Sequence, residues 1–176
     1  DGQLYTSEAV ALKPGVGFIA QVAGAEGLAP QSGLLRFGGD GHAASVRPCT
    51  ASLPRVGVGA VAGTGRFRLL LTSPGIFPEG WRLPGTAADG RWHFHGASAR
   101  LASAALPRLE TLSGWDVARS QPKPALRAAP TGSVYWLDDF QGDPAALDAL
   151  ASEGLPLDDK ARRAEGFNNC LLAAWR

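Results

Sequence analysis

Short apolar runs, most of them closed by Gly or Pro, punctuate this chain, a pattern of strands separated by turns and not of long amphipathic helices. The runs Val16 to Ala23, Arg66 to Thr72, Ala97 to Ala105, Thr111 to Val117, Gly132 to Leu137 and Phe167 to Trp175 read as strands. Helix signals are few. Asp143 is a good N-cap, Pro144 suits the first helical position, Leu147 and Leu150 make an apolar edge, and Gly154 ends the pattern. A shorter helix is predicted through Asp158 to Ala164. Residues 24–33 and 73–96 read as loops, the second holding three prolines and many glycines. Loops of that length are uncommon in a compact domain unless they have a task. The pattern by itself gives an α+β fold with long glycine- and proline-rich loop insertions.

The stretch GWDVARSQPKPALRAAPTGSVY, from Gly114 to Tyr135, departs from that pattern. It has no acidic residue between Asp116 and Asp138, while Arg119, Lys123 and Arg127 recur every four positions among Pro122, Pro124 and Pro130. Proline has no N–H to donate and a fixed φ, which excludes a regular helix or a central strand there. On an extended chain the even spacing returns the three cations to one face, roughly 13 Å apart, as a ladder for a polyanion. A solvated basic loop between strands is the plainer reading. A second basic, glycine-rich turn runs from Arg36 through Gly38, Gly39 and Gly41 to His42, with Arg47 beyond it. Glycines there let backbone N–H groups approach a phosphate or sugar closely, although a tight hairpin needs the same glycines. Trp115, Trp136, Tyr135 and Phe37 lie near these segments and suit stacking on splayed bases.

GWDVARSQPKPALRAAPTGSVYW resembles the GWD, PKP and PAGSVY signature of one RAMP-superfamily family, the third subunit of the type III-B CRISPR Cmr effector complex. LYTSEAV at Leu4 to Val10, LLRFGGDGHAA at Leu34 to Ala44, RFRLLLTSPGIFPEGW at Arg66 to Trp81 and AEGFNNCLLAAW at Ala164 to Trp175 resemble further segments of that family, in the same order. His42 stands where the family usually has an arginine. The resemblance implies a ferredoxin-like or RRM-like RAMP domain, and residues 1–176 as the C-terminal RAMP domain of a larger subunit. It implies a non-catalytic protein that grips the 5′ repeat-derived tag of the guide CRISPR RNA and docks the large polymerase-like subunit and the backbone RAMP subunits. The RNA-binding residues expected on this basis are Arg36, Gly38, Gly39, Gly41, His42, Arg47, Trp115, Arg119, Lys123 and Arg127. No cofactor, metal or membrane partner is expected, and the expected location is the cytoplasm.

Net charge is only +1, but its distribution is uneven. Residues 1–137 carry 13 Lys or Arg against 8 Asp or Glu, and residues 138–176 carry 4 against 8. Such asymmetry suits one surface that meets an anion and another that stays solvated or meets a protein. Purely protein docking would also suit it. No apolar run approaches the roughly 20 residues that span a bilayer. Cys49 and Cys170 have no CxxC partner and read as buried small hydrophobes. Gly57-Val58-Gly59-Ala60-Val61-Ala62 formally fits GxGxx(G/A), but it reads as leading into a strand instead of following one, which excludes a dinucleotide fingerprint. The same run resembles the glycine-rich loop of RAMP proteins, which normally lies near the C terminus. His93 and His95 lack the further ligands that zinc requires. An alternative function is a metal-independent endoribonuclease that processes guide precursors, with His93, His95 or His42 as acid and base.

Overall fold

A computed structural model of the 176-residue chain describes residues 11–20, 27, 32–38, 42–50 and 58–175. The chain divides into two compact units, Asp1–Leu53 and Pro54–Arg176. The expected Gly39 and Gly41 contacts lie outside the described residues.

In the first unit, β1 (Gly33–Phe37) and β2 (His42–Val46) form an antiparallel hairpin, in register from Gly33↔Val46 to Phe37↔His42. The strand expected from Val16 is absent from residues 11–20, and 21–23 lie outside the described residues. Gly15 adopts φ +81° and the Val16 N–H turns back to the Lys13 carbonyl, 3.0 Å away, so the chain bends where its apolar run begins. Phe18 instead packs on Phe37, with ring centroids 5.6 Å apart. Cys49, expected to be buried, is exposed.

The second unit is α+β. Its five-stranded antiparallel sheet runs β11 (Cys170–Ala174), β3 (Phe67–Leu71), β10 (Val134–Gln141), β5 (Ala97–Ala105), β4 (Arg91–Phe94). Chain order and sheet order differ because α2 (Ala145–Glu153) and α3 (Lys160–Ala164) carry the chain from β10 over β3 to β11, a split β-α-β crossover. Strand periodicity assigns the faces. Phe67, Leu69 and Leu71 point inward with Trp92, Phe94, Tyr135, Leu137, Cys170 and Leu172, against Leu147 and Leu150 of α2. The alternate residues of each strand form the sheet's other face.

The helix signals place α2 as expected, with the Ala145 N–H donating to the Asp143 carboxylate at 2.9 Å and Gly154, at φ +74°, ending it. Asp159 caps α3 through the N–H groups of Ala161 and Arg162. A third short helix, α1 (Gly59–Thr64), lies on the glycine run that reads in sequence as leading straight into a strand. The order is therefore helix then strand, the reverse of a dinucleotide fingerprint.

The 73–96 segment is not wholly loop, since it contains β4. Arg91-Trp92-His93-Phe94 has the alternation of a half-buried strand, and its turn is His95-Gly96, both at positive φ (43° and 77°), the geometry of a two-residue hairpin. The remainder covers the core: Phe77 and Leu83 are buried, Trp92 Nε1 donates to the Pro84 carbonyl at 2.8 Å, and the Tyr135 hydroxyl donates to the Trp81 carbonyl at 2.7 Å. No helix among the described residues is long and apolar enough to cross a membrane.

Candidate nucleic-acid interface

The basic, proline-rich segment forms an arm that doubles back on itself. β6 (Glu110–Leu112) pairs with β9 (Leu126–Ala128), and nearer the tip β7 (Trp115–Asp116) pairs with β8 (Gln121–Pro122). Between the two short ladders the Lys123 N–H donates to the Gly114 carbonyl at 2.7 Å, and the Ser113 hydroxyl to the Lys123 carbonyl at 3.0 Å. Pro122 and Pro124 lack the donors that a continuous ladder would use, which explains why pairing comes in two pieces. The single strand expected over Thr111 to Val117 is accordingly two.

This geometry corrects the single-faced ladder of cations. The chain reverses through residues 117–120, where Ser120 adopts φ +50°, so Arg119 is at the tip, Lys123 lies below it, and Arg127 sits in the stem opposite Thr111. Asp116 accounts for the reversal: its carboxylate accepts the Arg119 N–H at 3.1 Å and lies 3.8 Å from the Arg119 guanidinium. Lys123 Nζ is 3.4 Å from Glu165, whose carboxyl is held below its usual range by hydrogen bonds from Arg162 first and Lys123 second. Arg127 is exposed and has no acidic partner among the described residues. Trp115 is 58% exposed and Val117 82% exposed, so the arm presents apolar surface beside its cations.

On the β1–β2 hairpin, Arg36, Gly38, His42 and Arg47 are all exposed, with Gly38 at φ +86° just past the end of β1. Phe37 is half exposed beside Phe18. Tyr135 is fully buried, and that burial pushes its hydroxyl far above the usual tyrosine range, so it presents no face for stacking.

His93 and His95 do not share a strand face, because His95 occupies the turn, with Nδ1 3.9 Å from Glu153. Both line a shallow concavity of about 570 Å³ with Gln141 and Gly142. Among the described residues no group of three or more His, Cys, Asp or Glu is placed to hold a metal ion. The carboxylates of Asp138 and Asp139 are each taken by an arginine: Arg100 grips Asp138 through Nε at 2.9 Å and Nη2 at 2.6 Å, and Arg91 pairs with Asp139. Hydrogen bonds from Arg91 and then Gln141 hold the Asp139 carboxyl below its usual range.

Residue order along the chain gave less notice of the sheet's outer face, which carries Arg66, Arg68, Trp136 and Trp175. The signal was the i, i+2 spacing of Arg66 and Arg68 about the apolar Phe67 where β3 begins. The family description "CRISPR-associated protein (Cas_Cmr3)" matches residues 1–175. No curated protein matches the chain. With the match running over nearly its whole length, and the motifs that carry it falling on the arm, the β1–β2 hairpin and the edge strand β11, this chain belongs to the Cas_Cmr3 family of CRISPR-associated proteins, subunits of the type III-B Cmr complex.

Proposed function

We propose that the chain is a non-catalytic RNA-binding subunit that grips the 5′ repeat-derived tag of a guide CRISPR RNA. It docks the large polymerase-like subunit and the backbone RAMP subunits of the complex. Family membership supports the setting, and the observation that carries the RNA reading is the arm, on which an exposed Trp115 accompanies Arg119, Lys123 and Arg127. Cations there meet phosphates, the indole stacks on an unpaired base, and no bond is broken. Arg36, Gly38, His42 and Arg47 at the β1–β2 hairpin form a second contact, and the glycine run between them in sequence, Gly39 and Gly41 included, lets backbone N–H groups approach a phosphate. The strand order β11-β3-β10-β5, with its split crossover through α2, supports a ferredoxin-like core in which the 72–90 segment covers the ground a first helix would take.

Binding of a tag-containing guide RNA to the full chain, followed by anisotropy over a salt series, tests this reading. Affinity falls with salt at a log–log slope of about −0.7 per phosphate neutralised, and the triple change Arg119→Ala, Lys123→Ala, Arg127→Ala flattens the slope by at most about 2 units while weakening all sequences alike. A salt-independent titration sinks it. Metal-independent cleavage of a repeat-containing transcript, abolished by His93→Ala or His95→Ala, replaces it with the endoribonuclease.

A further inference from the structure

The outer face of the five-stranded sheet carries two indoles and four guanidinium groups. The antiparallel register places Ala173, Arg68, Trp136 and Ser103 in one row across β11, β3, β10 and β5. Trp136 therefore has a cation on one side and a small hydroxyl on the other. One strand pair along, the Arg66 guanidinium lies over the Trp175 ring, 5.5 Å from its centroid. Trp136 stands on β10 and Trp175 just past the end of β11, with β3 between the two strands, which puts the indoles at least about 10 Å apart across the sheet.

The arginines of this face divide into two kinds. Arg91 and Arg100 are neutralised by Asp139 and Asp138. Arg66 and Arg68 are exposed and have no acidic partner among the described residues; Arg68 donates only to the Ala174 carbonyl, at 3.1 Å. Arg66 and Arg100 also line a depression of about 390 Å³ at the end of the face, together with Asp138 and Asp139. Unneutralised cations beside partly exposed indoles on a pleated surface match the chemistry of an unpaired polynucleotide: phosphates for the guanidinium groups, base faces for the rings. Arginine beside tryptophan is also common in protein interfaces, so co-assembly is measured alongside RNA affinity.

We propose that this face, with Trp136 and Trp175 as stacking platforms and Arg66 and Arg68 as phosphate contacts, is a binding site for single-stranded RNA additional to the arm. The proposal rests on the RNA-binding reading above and names where on the sheet a second stretch of unpaired RNA lies. Stacking needs unpaired bases, so a duplex of the same composition binds the face weakly.

The test uses the full chain and a fluorescein-labelled oligouridylate, with 4-thiouridine versions for photocrosslinking. Trp175→Ala and Trp136→Ala each weaken binding by roughly five- to a hundredfold, Trp136→Phe retains most of it, and Arg66→Ala with Arg68→Ala flattens the salt slope by at most about 1.4. Crosslinks fall on the peptides holding Trp136 and Trp175. Thermal melting of each variant controls for folding, and the exposed Arg66 and Arg68 give variants that leave the core untouched. Unchanged oligouridylate affinity in Trp175→Ala and in the double arginine variant, with crosslinks confined to the arm, overturns the site while leaving the arm reading intact. Loss of co-assembly with other subunits at unchanged RNA affinity assigns the face to a protein and also overturns it. If the unaltered chain binds no RNA, both readings fall.

Discussion

Single residues hold this fold at points that local propensity does not mark. Asn168 is fully buried at φ +63°, accepts the Ile76 N–H at 2.7 Å and donates to the Pro156 carbonyl at 2.8 Å, while its own carbonyl receives the Leu155 N–H at 2.8 Å. It thereby ties the 72–90 segment to the chain leading into β11. Asn168→Ala removes the partner of two part-buried backbone groups and puts alanine at a positive φ, and is expected to cost about 2–3 kcal/mol, measured by denaturant unfolding; a cost below about 1 kcal/mol would show that water replaces the amide. The cysteines differ as sharply. Burial pushes the Cys170 thiol up to about 12, whereas Cys49 is exposed. A thiolate-selective reagent under native conditions should modify Cys49 alone, and mass analysis finding equal labelling would contradict the burial. Gly142 shows a spatial requirement: at φ +130°, a Cβ there would stand 2.7 Å from that of Ala97, so Gly142→Ala strains the β10–α2 junction.

Elements depend on one another through a few polar ties. The arm meets α3 through Lys123 and Glu165, and Arg162 holds the same carboxylate at 2.7 Å. Because the folded carboxyl titrates below its unfolded value, its contribution is present above the ordinary glutamate range, about 4.3, and disappears as pH falls through the lower folded value. Amide exchange across residues 113–127 should therefore quicken as pH drops below about 4, relative to intrinsic rates, and Glu165→Gln should show that loosening already at neutral pH. Exchange identical in the two proteins at every pH would mean that the ladders alone hold the arm. Asp159 is a simpler case: its cap on α3 contributes about 1 kcal/mol, lost in Asp159→Ala and read as a shift in the unfolding midpoint.

At the scale of the whole molecule, a net charge of +1 conceals a basic majority and an acidic end, and the fold determines where those charges are free. The strands Arg66 to Thr72 and Ala97 to Ala105, the helix after Asp143-Pro144 and the family motifs were all legible in the sequence, because alternation, capping and turn chemistry are local. Sequence also determined that Tyr135 and Trp136 face opposite ways, since neighbours on a strand always do. Which of them is dry it did not determine: α2 and the 72–90 segment cover one face of the sheet, and that choice buries Tyr135 and leaves Trp136 among arginines. The reversal of the arm belongs to the same class. Arg119, Lys123 and Arg127 are evenly spaced along the chain, yet their directions follow from Asp116 capturing the Arg119 N–H and Gly114 receiving Lys123. Local sequence specifies which conformations each segment accepts, and only the pairing of distant segments selects among them, because the free energy of burying one face depends on what arrives to cover it.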